Sequence, residues 1–177
     1  IARALVPTLG SAELQRTMGK RPESMDAYDL ILQAMYRMYR LDRAEFATAR
    51  TLLSRAIHLD PDYATAYALL AEWHTLNIGQ GYCEDENVAM GDLVRLATSA
   101  VERHRTDARS LALLGHCRAW LFRDYDDALD LFEQAFAASP NSAFAWGWSS
   151  PTCSYLGDGE SAVVHAEYAL RLSPLGR

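Results

Sequence analysis

Lysine is almost missing from this 177-residue chain: Lys20 stands alone beside sixteen arginines. A phosphate-cradling or Schiff-base lysine in the body of the chain is thereby excluded. Cysteine is scarce as well. Cys83, Cys117 and Cys153 are odd in number, widely spaced and without a CxxC pair, which argues against a disulfide or zinc framework and fits a reducing, cytoplasmic compartment. Arg, Glu or Asp interrupts every apolar run well short of the ~20 residues a membrane helix needs, so no membrane partner is expected. A basic cluster is also absent. The formal net charge is −6 and the arginines are scattered, whereas phosphate-backbone binding needs a concentrated basic face; nucleic acid is not an expected partner. The opening "IARALVPTLG" has neither an initiator Met nor the order of a signal peptide, and "RLSPLGR" stops just past a helix-ending proline. The chain reads as a piece of something longer.

What is present is periodicity. Half of the residues are apolar and 23% are charged, enough for a core or spine of one ordinary domain. Aligning "AIHLDPDYATAY", "AVERHRTDARSL", "AFAASPNSAFAW" and "ALRLSPLGR" superposes Ala56, Ala100, Ala135 and Ala169, with Pro61, Arg105, Pro140 and Pro174 five residues later. The last two prolines are 34 residues apart; the earlier intervals are 44 and 35. Ala lets two helices approach closely without loss of helix propensity. Leu53 and Phe132 add bulk three residues before, and Ala49, Ala128 and Ala162 extend an i, i+4, i+7 stripe. Proline then ends the helix and sets the direction of the next.

The first helix of each pair follows the same grammar: Tyr67, Leu70 and Ala71; Leu111, Leu114 and Gly115; then Trp146, with Gly157 marking the following turn. These positions resemble the tetratricopeptide repeat (TPR) family over roughly residues 26 to 174. The resemblance implies an all-α fold, a right-handed α-solenoid of helix-turn-helix pairs. Residues 1–25 are then an N-terminal helix and linker from a preceding domain, and 26–177 a domain of four repeats near 26–61, 62–105, 106–140 and 141–174. Helices are expected near 1–18, 26–40, 44–58, 63–77, 87–104, 108–122, 125–138, 143–155 and 159–172, with no strand. Ser24 or Asp26 is a candidate N-cap for the second of these. Three departures stand out. About five surplus residues in the first repeat suggest an extra turn on its first helix. "LNIGQGYCEDENVAMGDL" inserts roughly ten into the second repeat, an expected loop. Pro151 should kink or shorten the first helix of the fourth.

Candidate chemistry is sparse. The carboxylates Asp124, Asp126, Asp127 and Asp130 lack the Gly and Glu that an EF-hand loop needs at 129 and 135, and acids at a helix N-terminus explain them. No metal is expected. His116 and Cys117 are adjacent, so on a helix they point about 100° apart and do not form a nucleophile–base pair. The remaining histidines, His58, His74, His104 and His165, form no i, i+4 pair. "NIGQGY" lacks both the preceding strand and the following Lys-Ser/Thr of a nucleotide loop. No catalytic residue and no cofactor is assigned.

What remains is surface. The TPR resemblance implies that first helices line a concave groove holding extended peptides or partner helices. Carried over position by position, that groove comprises Gln33, Tyr36 and Arg37; Ala68, Glu72 and Thr75; Arg109, Ala112, His116 and Trp120; and Phe144, Gly147 and Tyr155. It lacks the Lys and Asn pattern that grips a C-terminal carboxylate, so an apolar peptide, a helix or another part of the same polypeptide fits better. The "RPESMDAYDL" junction, the long first repeat and "HLDPDYATAYALLA" resemble the region after the central domain of bacterial class III adenylate or guanylate cyclases that end in such repeats, a build shared with winged-helix transcriptional activators. The repeats and the missing catalytic constellation point to a non-catalytic interaction and regulatory module, which that resemblance places in a bacterial signalling protein of the cAMP type. The alternative is a small-molecule sensor whose insertion at Gly79–Glu86 closes over the groove. Val163, Leu170 and Leu172 are expected to be exposed at the C-terminal edge, which would permit self-association through the terminal repeats.

Overall fold

The structure, a computed structural model, describes residues 25–40 and 42–173. The expected helix near 1–18, the Ser24 cap and Pro174 lie outside those residues. Among the described residues there are eight α-helices and no strand: α1 (Met25–Met38), α2 (Arg43–Leu59), α3 (Ala64–Gly79), α4 (Glu86–Arg103), α5 (Ala108–Cys117), α6 (Tyr125–Ala138), α7 (Ala143–Tyr155) and α8 (Gly159–Leu172). A short π-helical turn, Arg118–Phe122, continues α5. The chain divides after Arg103 into two compact units.

Polar caps start most of these helices. Asp42 accepts from the Ala44 and Glu45 amides at 3.0 and 2.9 Å, Asp85 from Val88 at 3.1 Å, Asp107 from Ser110 at 2.8 Å, Ser142 from Ala145 at 3.2 Å, and Asp158 from Ser161 at 3.0 Å. Each satisfies an amide that the helix leaves orphaned. Asp26 falls inside the first turn of α1 rather than capping it, since that helix begins at Met25.

The repeated alanines end the second helices by one geometry. The amides of Asp60, Ser139 and Ser173 each donate to the carbonyl of Ala56, Ala135 and Ala169 at 3.0 Å. The next turn also repeats: Tyr63 to Asp60, Asp107 to His104 and Ser142 to Ser139, at 3.2, 3.1 and 3.1 Å. Arg105 occupies the proline position of the middle turn, yet α4 still stops at Arg103. The hydrogen-bond pattern, not proline alone, defines the stop.

In the unit of residues 25–103, α1 pairs with α2 and α3 with α4, and α3 also packs on α1 and α2. Ala49, Leu53 and Ala56 of α2 are fully buried, as are Leu93, Ala97 and Ala100 of α4. Trp73 of α3 stacks on Phe46 of α2 with ring centres 4.8 Å apart, and its indole N–H donates to the Phe46 carbonyl at 2.8 Å. Arg103 in the last turn of α4 reaches back over Tyr67, 3.9 Å from the ring centre, and donates to the Pro61 carbonyl at 2.7 Å. Two length expectations change here. The surplus of the first repeat is in α2, with 17 residues, because α1 stops after 14. The insertion in the second repeat is taken up by α3 and α4, with 16 and 18 residues, leaving a connection of residues 80–85. Tyr82 packs edge-on against Phe46 at 6.0 Å, beneath Arg43, and so anchors that connection on α2.

In the unit of residues 104–173, α5 pairs with α6 and α7 with α8, and α5 also packs along α7. Ala128, Phe132 and Ala135 form the buried stripe of α6. Pro151 does not shorten α7, which continues to Tyr155. Side-chain hydroxyls supplement the ladder around it: Ser149 donates to the Trp146 carbonyl at 2.9 Å and Thr152 to the Trp148 carbonyl at 3.1 Å. On α8, Val163 and Leu170 are 59% and 63% exposed, whereas Leu172 is half-buried.

Gly115 shows how close α5 and α6 lie. A Cβ there would stand 3.1 Å from the Ala128 carbonyl oxygen and 3.3 Å from both Leu131 and Phe132. A Cβ on Gly147 of α7 would meet only the Ala169 methyl, at 4.0 Å. Gly115→Ala is therefore expected to destabilise by about 1–3 kcal/mol through overpacking, despite the ~1 kcal/mol that helix propensity returns. Gly147→Ala should be neutral or stabilising by up to about 1 kcal/mol. Urea unfolding followed by circular dichroism separates the two; equal stability of both variants would contradict the close approach.

Candidate functional site

The residues predicted from sequence in the first unit do not gather into an open set. Gln33 is exposed and Tyr36 is 61% exposed, with Arg40 above its ring at 5.4 Å and donating to its hydroxyl at 3.0 Å. Arg37, however, is ion-paired with Glu45 on α2. Ala68 is fully buried, and Glu72, only 3% exposed, accepts from the Tyr39 hydroxyl at 2.7 Å. Thr75 is buried and donates to the Ala71 carbonyl of its own helix at 3.2 Å.

In the second unit the predicted residues do come together. Asp107 and Ser142 start α5 and α7, and positions 109, 116 and 120 on one and 144 and 155 on the other recur at helical spacing on facing stripes. The guanidinium of Arg109 lies 3.8 Å above the Phe144 ring. Phe144 then meets Trp148 at 5.9 Å, and Trp148 meets His116 at 4.6 Å. Trp120 and Tyr155 complete the group, 5.7 and 5.9 Å from His116. His116 is buried and forms the floor; Trp120 and Trp148 are half-buried, and Tyr155 is 45% exposed.

Trp148 escapes the sequence reading because the repeat register places Gly147 in the groove. The signal is there: Trp148 lies four residues after Phe144, on the same stripe. Trp120 owes its position to the π-helical turn, which replaces the expected α-helical end of α5. Arg123 closes that turn in the left-handed region at φ 55°, and Asp124 donates to the Arg118 carbonyl at 3.1 Å. Arg118 also pairs with Asp127 at 3.0 Å, so one acid of the 124–130 run serves the turn. Such turns recur at functional sites because they re-aim side chains.

The hydroxyls of α7 fix two imidazoles. Thr152 donates its proton to the Trp148 carbonyl, so it accepts from Nδ1–H of His116 at 3.2 Å. Nε2 of His116 is left as an unprotonated acceptor. Ser149 does the same for His165, at 2.9 Å. A small apolar cleft of about 70 Å³ adjoins this second pair, between Phe132, Phe136, Cys153 and His165, well below the roughly 300 Å³ at which ligand pockets begin.

Burial governs the titrating groups. It pushes the Cys117 thiol up to about 12 and raises the Cys153 thiol, with Asp158 adding to the effect. Both remain protonated at neutral pH. Among the described residues no three His, Cys, Asp or Glu side chains are grouped to hold a metal ion. His116 is pushed down to about 4 by burial. His74 on α3 is also pushed down to about 4, chiefly by burial, with Asp92 opposing and Arg50 and Arg95 reinforcing; its Nδ1 is buried without a hydrogen-bond partner.

A depressed histidine is neutral when folded and takes up a proton on unfolding. Its stabilising effect is complete above the unfolded value near 6.5 and is lost as pH falls toward 4, at about 1.4 kcal/mol per pH unit for each histidine. The melting temperature is expected to drop between pH 6.5 and 4, above the usual carboxylate range, and His116→Gln should flatten that slope. A melting temperature independent of pH across this window would contradict the burial of both imidazoles in their neutral form.

No protein-family model matches the chain, and no curated protein matches it in sequence. Solved structures do. A thermophilic TPR protein of Thermus thermophilus, TTC0263, is 17% identical, with 86% of this chain and 76% of that one covered at a TM-score of 0.68. MamA, also 17% identical, covers 84% of this chain and 79% of its own at 0.53. A double mutant of MamA from RS-1 is 16% identical, with 86% and 78% covered at 0.51. At such identities the shared property is the fold: these helices form an all-α array of the TPR type.

Proposed function

We propose that this chain is a non-catalytic protein-interaction module and that its docking surface in residues 104–173 is the aromatic face of α5 and α7. One observation carries the reading: Trp120, Trp148 and Tyr155 reach solvent while packed around a buried histidine. Large rings held on helices lose little conformational freedom on binding, and Trp, Tyr and Arg dominate interface energetics. The TPR-type fold supports a surface that binds a peptide or another protein rather than an enclosed pocket.

The sequence resemblance at "RPESMDAYDL" supports a further placement, downstream of a catalytic domain such as a class III nucleotide cyclase. There the module would regulate that domain or recruit a partner to it. All three cysteines are unpaired, which suits a reducing cytoplasm. Val163, Val164 and Leu170 on α8 are exposed and leave a second copy or the rest of the polypeptide as further candidate partners.

Selection of random dodecapeptides by phage display on the purified 177-residue chain tests the reading. Enriched peptides should lose at least about tenfold in affinity for the Trp120→Ala, Trp148→Ala double variant, the order expected of interface anchors, while its circular dichroism stays that of the parent. Peptides binding the double variant equally well would overturn the assignment of the face. Turnover of ATP or GTP by the chain, abolished by one substitution within it, would overturn the non-catalytic reading.

A further inference from the structure

The four tryptophans divide by what their indole N–H groups do. Trp73 donates to the Phe46 carbonyl and Trp146 to the Pro140 carbonyl, both at 2.8 Å, so these two are committed to the fold. Trp120 and Trp148 donate to no described residue. The aromatic face thus carries two indole donors and the Nε2 acceptor of His116 beside apolar rings.

That combination discriminates between ligand backbones. A helical ligand has already paired its backbone carbonyls and has no use for indole donors. A ligand strand needs a sheet edge, and there is no strand among the described residues. An extended polyproline II segment has no internal hydrogen bonds, so its carbonyls are available while its proline rings seek aromatic faces. Ring centres 4.6 and 5.7 Å from His116 put Trp148 and Trp120 no more than about 10 Å apart, so about one polyproline II turn, which rises about 9 Å, is enough to reach both.

Charge narrows the ligand further. Residues 104–173 carry nine Asp and Glu against five Arg. The chain leads from Trp120 into Asp124 and Asp126, and from Tyr155 into Asp158 and Glu160. Arg109 stands over Phe144 at one end of the face and Arg118 is paired with Asp127, so it is the net negative charge of the unit as a whole that favours a cationic flank, through its long-range field.

We infer that the face of α5 and α7 binds a proline-rich, extended segment with a basic flank, its carbonyls accepting from Trp120 and Trp148 and its rings resting on Trp120, Trp148 and Tyr155. This rests on the reading of that face as the docking surface.

The test uses the whole chain, labelled with nitrogen-15, and the four indole N–H signals, with those of Trp120 and Trp148 identified by Trp120→Phe and Trp148→Phe. The probe is an acetylated octaproline ending in Arg-amide; the controls are a Gly-Ser octapeptide with the same end and an amphipathic helical peptide. Trp120 and Trp148 signals should shift with the proline probe, those of Trp73 and Trp146 should stay, and added salt should weaken binding. Trp148→Phe, which keeps a ring but removes the donor, should weaken binding about tenfold with its melting temperature close to the parent's. Should the helical peptide move the Trp120 and Trp148 signals while the proline probe fails up to about 1 mM, where association is worth only about 4 kcal/mol, the ligand class is wrong and the docking face stands. If neither moves them and the display peptides also ignore the double variant, both readings fall.

Discussion

Each second helix in this protein meets its neighbours through alanine, and the structure follows from how near that allows two backbones to come. Ala56, Ala100 and Ala135 are fully buried. Where α5 meets α6 even a methyl is too large, and Gly115 faces the Ala128 carbonyl directly. Interiors are packed to crystal-like density, so a surface of small residues can be matched only by bulk at defined places. Leu53 and Phe132 supply it one turn away. The alanines also accept the final hydrogen bonds of α2, α6 and α8, so one residue position sets both the spacing between helices and the point at which the chain turns.

With the spine filled by small residues, aromatic groups have two kinds of place. Trp73 and Trp146 lie where second helices meet first helices, and each gives its indole N–H to a backbone carbonyl. Those bonds tie both rings to the backbone, so these two are structural. Trp120 and Trp148 lie on the face of the first helices of the second unit and donate to no described residue. The same side-chain type is thus bonded into the fold at two positions and carries the proposed recognition at two others, and the distinction lies in hydrogen bonding rather than in hydrophobicity.

Histidine and cysteine, the residues from which chemistry is usually built, are here drawn into packing. His116 is ringed by aromatics and held by Thr152, and Cys117 beside it is fully buried. Desolvation keeps the imidazole neutral and the thiol protonated. His116 therefore acts as a shape and an acceptor at the floor of the aromatic face, with its tautomer fixed by a hydroxyl whose own proton is donated within α7.

The sequence by itself determined the repeat: the alanine comb, its bulk one turn away and the capping residues report local geometry that any helix pair of this type must satisfy, so helix positions were legible to within a few residues. It also placed Arg109, His116, Trp120, Phe144 and Tyr155 on first helices, since helical spacing alone assigns a face. Only the tertiary structure decided which of those faces is open. Glu72, Thr75 and Arg37 had the right register but found partners on their own or neighbouring helices, and pairing across helices leaves no periodic trace in a sequence. The surplus residues were likewise ambiguous, because they extend a helix or a loop according to whether packing surface is there to receive them. Tyr82 found Phe46, and α3 and α4 lengthened. Trp120 reached this face through the π-helical turn, and its meeting with Trp148 and Tyr155 around one imidazole is set by the packing of α5 on α7 and not by spacing along the chain.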